Sequence, residues 1–245
     1  MTDESIDERR ERRALVAALF FAVALCPFVG GVRGPLPYAG WVLIPLYAVA
    51  FSPRRALSGL DLGLPGGTAR GLLTLAACAA AGALCGLAFL RLEGPFPRLI
   101  EFVQLLPWLH RDMVAGRVWL FLALIPAAHV AHELFYRAFV QRRLGARLGA
   151  PAGLLIAALL FAWTHVFAFT SGEYVGALLR LRGGLPDPSA AQGALAGVMA
   201  FCALESLFSG LLVMRTRSLW SGVAFRAANL LVIALALRSA GRLLP

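Results

Sequence analysis

The stretch Val118–Val140, VWLFLALIPAAHVAHELFYRAFV, is apolar through its first half, and in its second half His129, His132, Glu133, Tyr136 and Arg137 crowd together. About 20 apolar residues suffice to cross the hydrocarbon core of a bilayer, and this run meets that length. An ionisable group inside such a run is costly unless it is paired or faces a protected cavity, so the group is a site candidate from the outset. On an α-helix His129, Glu133 and Arg137 stand at i, i+4 and i+8 and form one stripe, with Glu133 and Arg137 able to pair. His132 lies about a quarter turn aside, on the neighbouring face. A structural ion pair locking two helices is the plainer alternative, but it leaves the adjacent histidines without a role.

The rest of the chain has the same character. Of its 245 residues 60% are hydrophobic and only 15% charged, with a mean hydropathy of +0.76. Soluble domains carry about 25% charged residues, so the composition specifies an integral membrane protein. Apolar spans are read at Ala14–Val32, Tyr38–Phe51, Gly71–Leu90, Val118–Gln141, Ala152–Phe169, Ala191–Met214 and Leu219–Leu237. The expected fold is an all-α polytopic integral membrane protein with six or seven transmembrane helices and the site in the last four. The expected organisation is a charged N-terminal tail (1–13), transmembrane helices with an amphipathic loop (14–117), a core that carries the site (118–237) and a short C-terminal tail (238–245).

The formal net charge of +10 is carried by arginine alone, since the chain has no lysine. In a soluble protein such basicity would suggest nucleic acid. Here the arginines flank apolar spans, where they anchor to headgroups and set topology, so no nucleic-acid partner is expected. With seven spans and the N-terminus inside, the inner segments hold Arg9, Arg10, Arg12, Arg13, Arg54, Arg55, Arg70, Arg142, Arg143, Arg147, Arg215 and Arg217. The outer segments hold Arg33, Arg91, Arg98, Arg111, Arg117, Arg180, Arg182, Arg238 and Arg242. That bias predicts a multi-pass protein of the cell (inner) membrane with a cytoplasmic N-terminus. Cys26-Pro27-Phe28 offers no signal-peptidase site, so the first span is read as retained. Cys26, Cys78, Cys85 and Cys202 form no CxxC pair and read as core packing.

Two connections stand out. Arg91–Arg117 mixes prolines with apolar residues at helical spacing beside Glu101, Arg111 and Asp112, which suggests an interfacial amphipathic helix. Thr170–Ser189 contains Gly183-Gly184, Pro186 and Pro188 and reads as a flexible loop. Pro151 suits the first turn of the helix that follows Arg147.

Polar residues recur in the later spans. Phe161-Ala162-Trp163-Thr164-His165 sets a histidine deep in an apolar helix, one turn after a phenylalanine. Arg226 and Asn229, three apart, share a face of the last span. An arginine there requires an acidic partner or a wet cavity. Glu205 in the preceding span and Glu133 are the two candidates.

In this order the three pieces resemble the CAAX-protease and bacteriocin-processing (Abi-type) family of intramembrane proteases. Its motifs are Glu-Glu-x-x-x-Arg, Phe-x-x-x-His and His-x-x-x-Asn on successive core helices. Glu133 to Arg137 match the end of the first motif, and Phe161 to His165 match the second in full. Phe139 to Leu144 and Arg215 to Trp220 also look like the family, and the resemblance covers roughly Leu120 to Leu231. His132 stands where the family has its first glutamate, which activates water together with the second-motif histidine. The oxyanion-stabilising histidine of the third motif falls at Arg226, with Asn229 one residue earlier than the usual spacing.

The resemblance implies an intramembrane endopeptidase acting on membrane-associated polypeptides: prenylated, bacteriocin-like or carrying a C-terminal sorting helix. Glu133 or His132, with His165, would activate water. Arg226 and Asn229 would hold the oxyanion, and Arg137 would orient Glu133. The lipid bilayer is the expected environment, and oligomeric state is not legible.

No cofactor is expected. His132-Glu133-x-x-Tyr136 resembles the HExxH zinc motif but lacks its second histidine, and a zinc site assembled from His129, Glu133 and His165 is the alternative. A non-catalytic membrane protein, an immunity factor or scaffold, is the second function class, and the two substitutions speak for it. It would let Arg226 and Glu205 fill the cavity as an ion pair. A transporter is a third, opposed by the lack of an inverted repeat.

Overall fold

A computed structural model describes residues 3–25, 43, 68–91, 126, 129–170 and 188–239, with side chains described over most of these. The described chain is helical. It comprises α1 (Asp3–Phe20), a π-helical turn π1 (Phe21–Leu25), α2 (Thr68–Arg91), a π-helix π2 (Leu134–Gln141), α3 (Arg142–Leu148), α4 (Ala150–Thr170), α5 (Pro188–Thr216) and α6 (Leu219–Ser239). Among the described residues three helices are long and apolar enough to cross a membrane, within α2, α5 and α6. The protein is an all-α membrane protein. The expected span Tyr38–Phe51 and the amphipathic segment Arg91–Arg117 lie outside the described residues, apart from residues 43 and 91.

Several boundaries differ from the sequence reading. Helix α1 begins at Asp3 rather than near Ala14, because Asp, Glu and Arg are adequate helix formers in water and the apolar half supplies the packing. Helix α5 begins at Pro188, inside the stretch read as a loop; proline is favoured at a helix start, where its missing N–H would have no partner. Pro151 falls in the first turn of α4, as its position predicts.

The bundle is turned outward. Leu72, Leu73, Leu84, Leu87, Leu155, Leu159, Leu204 and Phe208 are exposed, whereas His129, His132, Glu133, Arg137, Glu205, Arg226 and Asn229 are buried. With lipid as solvent, leucine gains little by leaving the surface, and helix contacts rely on small residues and polar bonds. Gly86 illustrates this. A Cβ there would stand 2.8 Å from the Asn229 carbonyl oxygen and 3.0 Å from its side-chain oxygen, so α2 approaches α6 as closely as a backbone can. Ala14, Leu15 and Ala18 of α1 and Ala22 of π1 join the core around the site helix, with Phe21 of π1 edge-on to Phe135 at 6.1 Å.

The register places the helix ends. Gly82 abuts Phe225 and Gly86 abuts Asn229, so α2 and α6 run parallel. Arg137 meets Ser206 and Gln141 meets Gly210, so π2 and α5 also run parallel. Glu11 pairs with Arg143. One end of the bundle therefore gathers Arg9, Arg10, Arg12, Arg13, Arg70, Arg142, Arg143, Arg147, Arg215 and Arg217, while Arg91 closes α2 at the other.

Candidate active site

The helix carrying the first cluster runs from 129 to 133 as α-helix and then widens into π2. The sequence reading assumed a regular α-helix here. π turns occur mostly inside α-helices and often at functional sites. The i, i+4 contacts survive the change: Arg137 Nε lies 3.6 Å from Glu133 Oε2, and Arg137 Nη1 donates to Gln141 Oε1 at 3.2 Å.

Glu133 has no exposed surface. Its Oε1 accepts from the Ser209 hydroxyl at 2.7 Å and from Arg226 Nη1 at 3.4 Å. Gly222 of α6 lies against the same carboxylate; a Cβ there would be 2.7 Å from Glu133 Cδ and 2.8 Å from Ser209 Oγ. Arg137 is anchored away from lipid by Nη2, which donates to the Ser206 carbonyl at 2.6 Å and to the Ser206 hydroxyl.

Arg226 is 1% exposed and bridges two acids. Its Nε reaches Glu205 Oε1 at 3.5 Å while Nη1 faces Glu133. Its guanidinium carbon stands 4.0 Å from the centroid of the Phe161 ring, a cation–π distance. Asn229 Nδ2 donates to Glu205 Oε1 at 3.2 Å. Two glutamates and two arginines thus form a neutral buried quartet, the arrangement under which charge is tolerated away from water. Both acids expected to partner Arg226 do so.

The histidines flank this quartet. His132 is edge-on to Phe161 at 5.7 Å and to His129 at 5.9 Å. Tyr136 shares a 2.5 Å hydrogen bond with the Thr164 hydroxyl, which ties π2 to α4. His165 lies on α4 one turn after Phe161, and its side chain falls outside the described residues. The zinc set His129, Glu133 and His165 depends on that side chain. Among the described residues no three His, Cys, Asp or Glu side chains could hold a metal ion.

Counting four residues back from Asn229, the usual third-motif spacing, gives Phe225 rather than Arg226. Phe225 is buried, with its ring centroid 6.5 Å from that of Phe208. Arg226 is the residue that reaches the site. Ser206, Ser209, Gln141 and Gly222 also line the site, although nothing in the three motifs points to them. Serines at 206 and 209 followed by Gly210, spaced as one face of an apolar span, were the available signal.

Residues 114–232 match the family described as Rce1-like, type II CAAX prenyl endopeptidase. The match spans just under half of the chain, and over it the chain is similar to the Rce1-like family. The match contains every candidate site residue, from His132 to Asn229. No curated protein and no solved structure matches the chain. The matched family is described as one of prenyl endopeptidases, and together with the apolar helices this supports a membrane protease as the coarse class.

Proposed function

We propose that the protein is an intramembrane endopeptidase in which Glu133 or His132, with His165, activates water. The observation that carries this reading is the meeting of all three motif helices at one guanidinium. Arg226 from α6 touches Glu133 from the first motif helix and the Phe161 ring from α4, one turn before His165. The activated water adds to the scissile carbonyl carbon, and its proton passes to the base. Arg226 and Asn229 hold the charge that develops on the carbonyl oxygen, where one donor is worth about 2.7–4 kcal/mol. Proton return to the departing amine completes the cleavage. Arg137, fastened to Ser206 and Gln141, keeps Glu133 oriented.

Substrates of this reading are prenylated or bacteriocin-like polypeptides, or proteins with a C-terminal sorting helix. The arginine-rich end of the bundle faces the cytoplasm, in keeping with the positive-inside rule.

A second reading has a specific observation behind it. Arg226 is paired with Glu205 as well as Glu133, the arrangement expected of a non-catalytic scaffold or immunity protein whose charges fill the cavity. In the endopeptidase reading the same contacts are a resting state, and Arg226 shifts toward the substrate oxyanion. The deciding experiment incubates purified protein with a panel of membrane peptides, wild type beside Glu133→Ala and His165→Ala. Cleavage by wild type and its loss in both variants supports the endopeptidase. Full cleavage by either variant removes the mechanism, and silence of the wild type favours the scaffold.

A further inference from the structure

Helix α5 contributes nothing to the three motifs, yet it contacts every charged member of the site. Glu205 and Ser209 form one i, i+4 stripe and Ser206 and Gly210 the adjacent one, so the four lie on one side of α5. Glu205 Oε1 receives Arg226 Nε and Asn229 Nδ2. Ser206 receives Arg137 on both its carbonyl and its hydroxyl. Ser209 donates to Glu133, and the Gly210 carbonyl accepts from Gln141 Nε2 at 3.4 Å. Ser206 and Ser209 have no exposed surface and Glu205 has 7%.

We propose that the segment Glu205–Gly210 is a fourth positioning motif of this site, in which Ser209 fixes the Glu133 carboxylate and Glu205 fixes Arg226 and Asn229. Its catalytic consequence rests on the endopeptidase reading; its geometric consequence does not.

Charge-assisted N–H···O bonds settle near 2.7–2.9 Å, whereas Arg226 stands 3.4 Å from Glu133 and 3.5 Å from Glu205. The guanidinium is held between two attractions rather than docked on one. Removing the Glu205 charge leaves Glu133 as the nearer acid, and Arg226 moves onto the carboxylate assigned to take a proton from water. Asn229 loses the charged acceptor that holds its amide. Ser209 acts on the opposite partner: without its hydroxyl, Glu133 Oε1 keeps Arg226 alone and the carboxylate turns. Each α5 residue acts through another, so these are positioning residues and not catalytic ones.

The test uses the full chain in lipid nanodiscs, labelled with ¹⁵N-arginine. The Arg226 Nε–H resonance is assigned by its loss in Arg226→Lys. Glu205→Gln and Ser209→Ala are expected to displace it, and Leu73→Val, at an exposed position of α2, to leave it in place. With a cleavable peptide, both α5 variants are expected to lower kcat on the order of tenfold or more, as befits loss of a bond to a charged group, with KM within about twofold. Glu205→Asp is expected to recover part of kcat. An unmoved resonance in folded Glu205→Gln, or unchanged kcat in both variants, overturns the proposal. Should Glu205→Gln fail to fold, Glu205→Asp takes its place, and an unmoved resonance there has the same force. A displaced resonance in a protein that cleaves nothing upholds the positioning motif and rejects the endopeptidase.

Discussion

Arg226 has two acidic partners and one aromatic face and is buried, and its removal would leave acid in excess. Breaking a buried pair by deleting one partner costs about 3–5 kcal/mol, far more than the 0–1 kcal/mol of an exposed pair. Arg226→Met is therefore expected to destabilise the fold by about that amount, measured by denaturant unfolding in detergent. Arg226→Met combined with Glu205→Met is expected to recover much of the loss, because the pair leaves together. Additive losses would show that the two side chains do not interact. Gly222 makes the complementary case for space. Gly222→Ala would thrust a methyl into the Glu133 carboxylate and Ser209, and overpacking of this kind costs about 1–3 kcal/mol. Any cleavage activity is expected to fall with it, and wild-type stability and rate in Gly222→Ala would refute the contact. Glu133, Arg137 and Arg226 stand out in the sequence because charge in an apolar run is rare and costly, and Asn229 because it shares a helix face with Arg226. Ser206 and Ser209 do not, since hydroxyls are common helix residues in membranes and only their partners distinguish them.

At the scale of elements, the contact between α2 and α6 depends on the lack of a side chain at Gly86. Gly86→Ala is expected to push Asn229 off Glu205 and to lower stability by about 1–3 kcal/mol, again read by unfolding in detergent. The turn joining α5 to α6 holds Arg217 at φ 55°, a left-handed conformation that costs a non-glycine residue about 1–2 kcal/mol. Arg217→Gly is expected to raise the unfolding midpoint, and a lowered midpoint would show that the arginine side chain outweighs its strain. Span positions followed from hydropathy: α2, α4, α5 and α6 each enclose the apolar run read for them. The π-helix over Leu134–Gln141 did not follow. An extra residue in a helical turn leaves the apolar pattern almost unchanged, so periodicity carries no trace of it.

Across the whole molecule, helix register gathers the arginines of α1, α3, α5 and the α5–α6 turn, with Arg70 of α2, at one end. A cysteine at position 215, in a variant otherwise free of cysteine, is expected to resist an impermeant thiol reagent added outside intact cells and to react once the membrane is opened. Labelling from outside would reverse the proposed orientation. The ion pair between Glu11 and Arg143 joins α1, which precedes the Rce1-like segment, to the helix following the site.

Composition and hydropathy alone determined that this chain enters a membrane, where its later spans lie and which charged side chains require partners. Those conclusions rest on transfer energies, which depend on a residue's chemistry and its immediate neighbours in sequence. The choice of partners was decided only by the packed bundle. Glu133 and Glu205 were equally plausible companions for Arg226, and tertiary structure gave it both. Distances between helices are set by where backbones close at Gly86 and Gly222, and no local pattern in the chain encodes them.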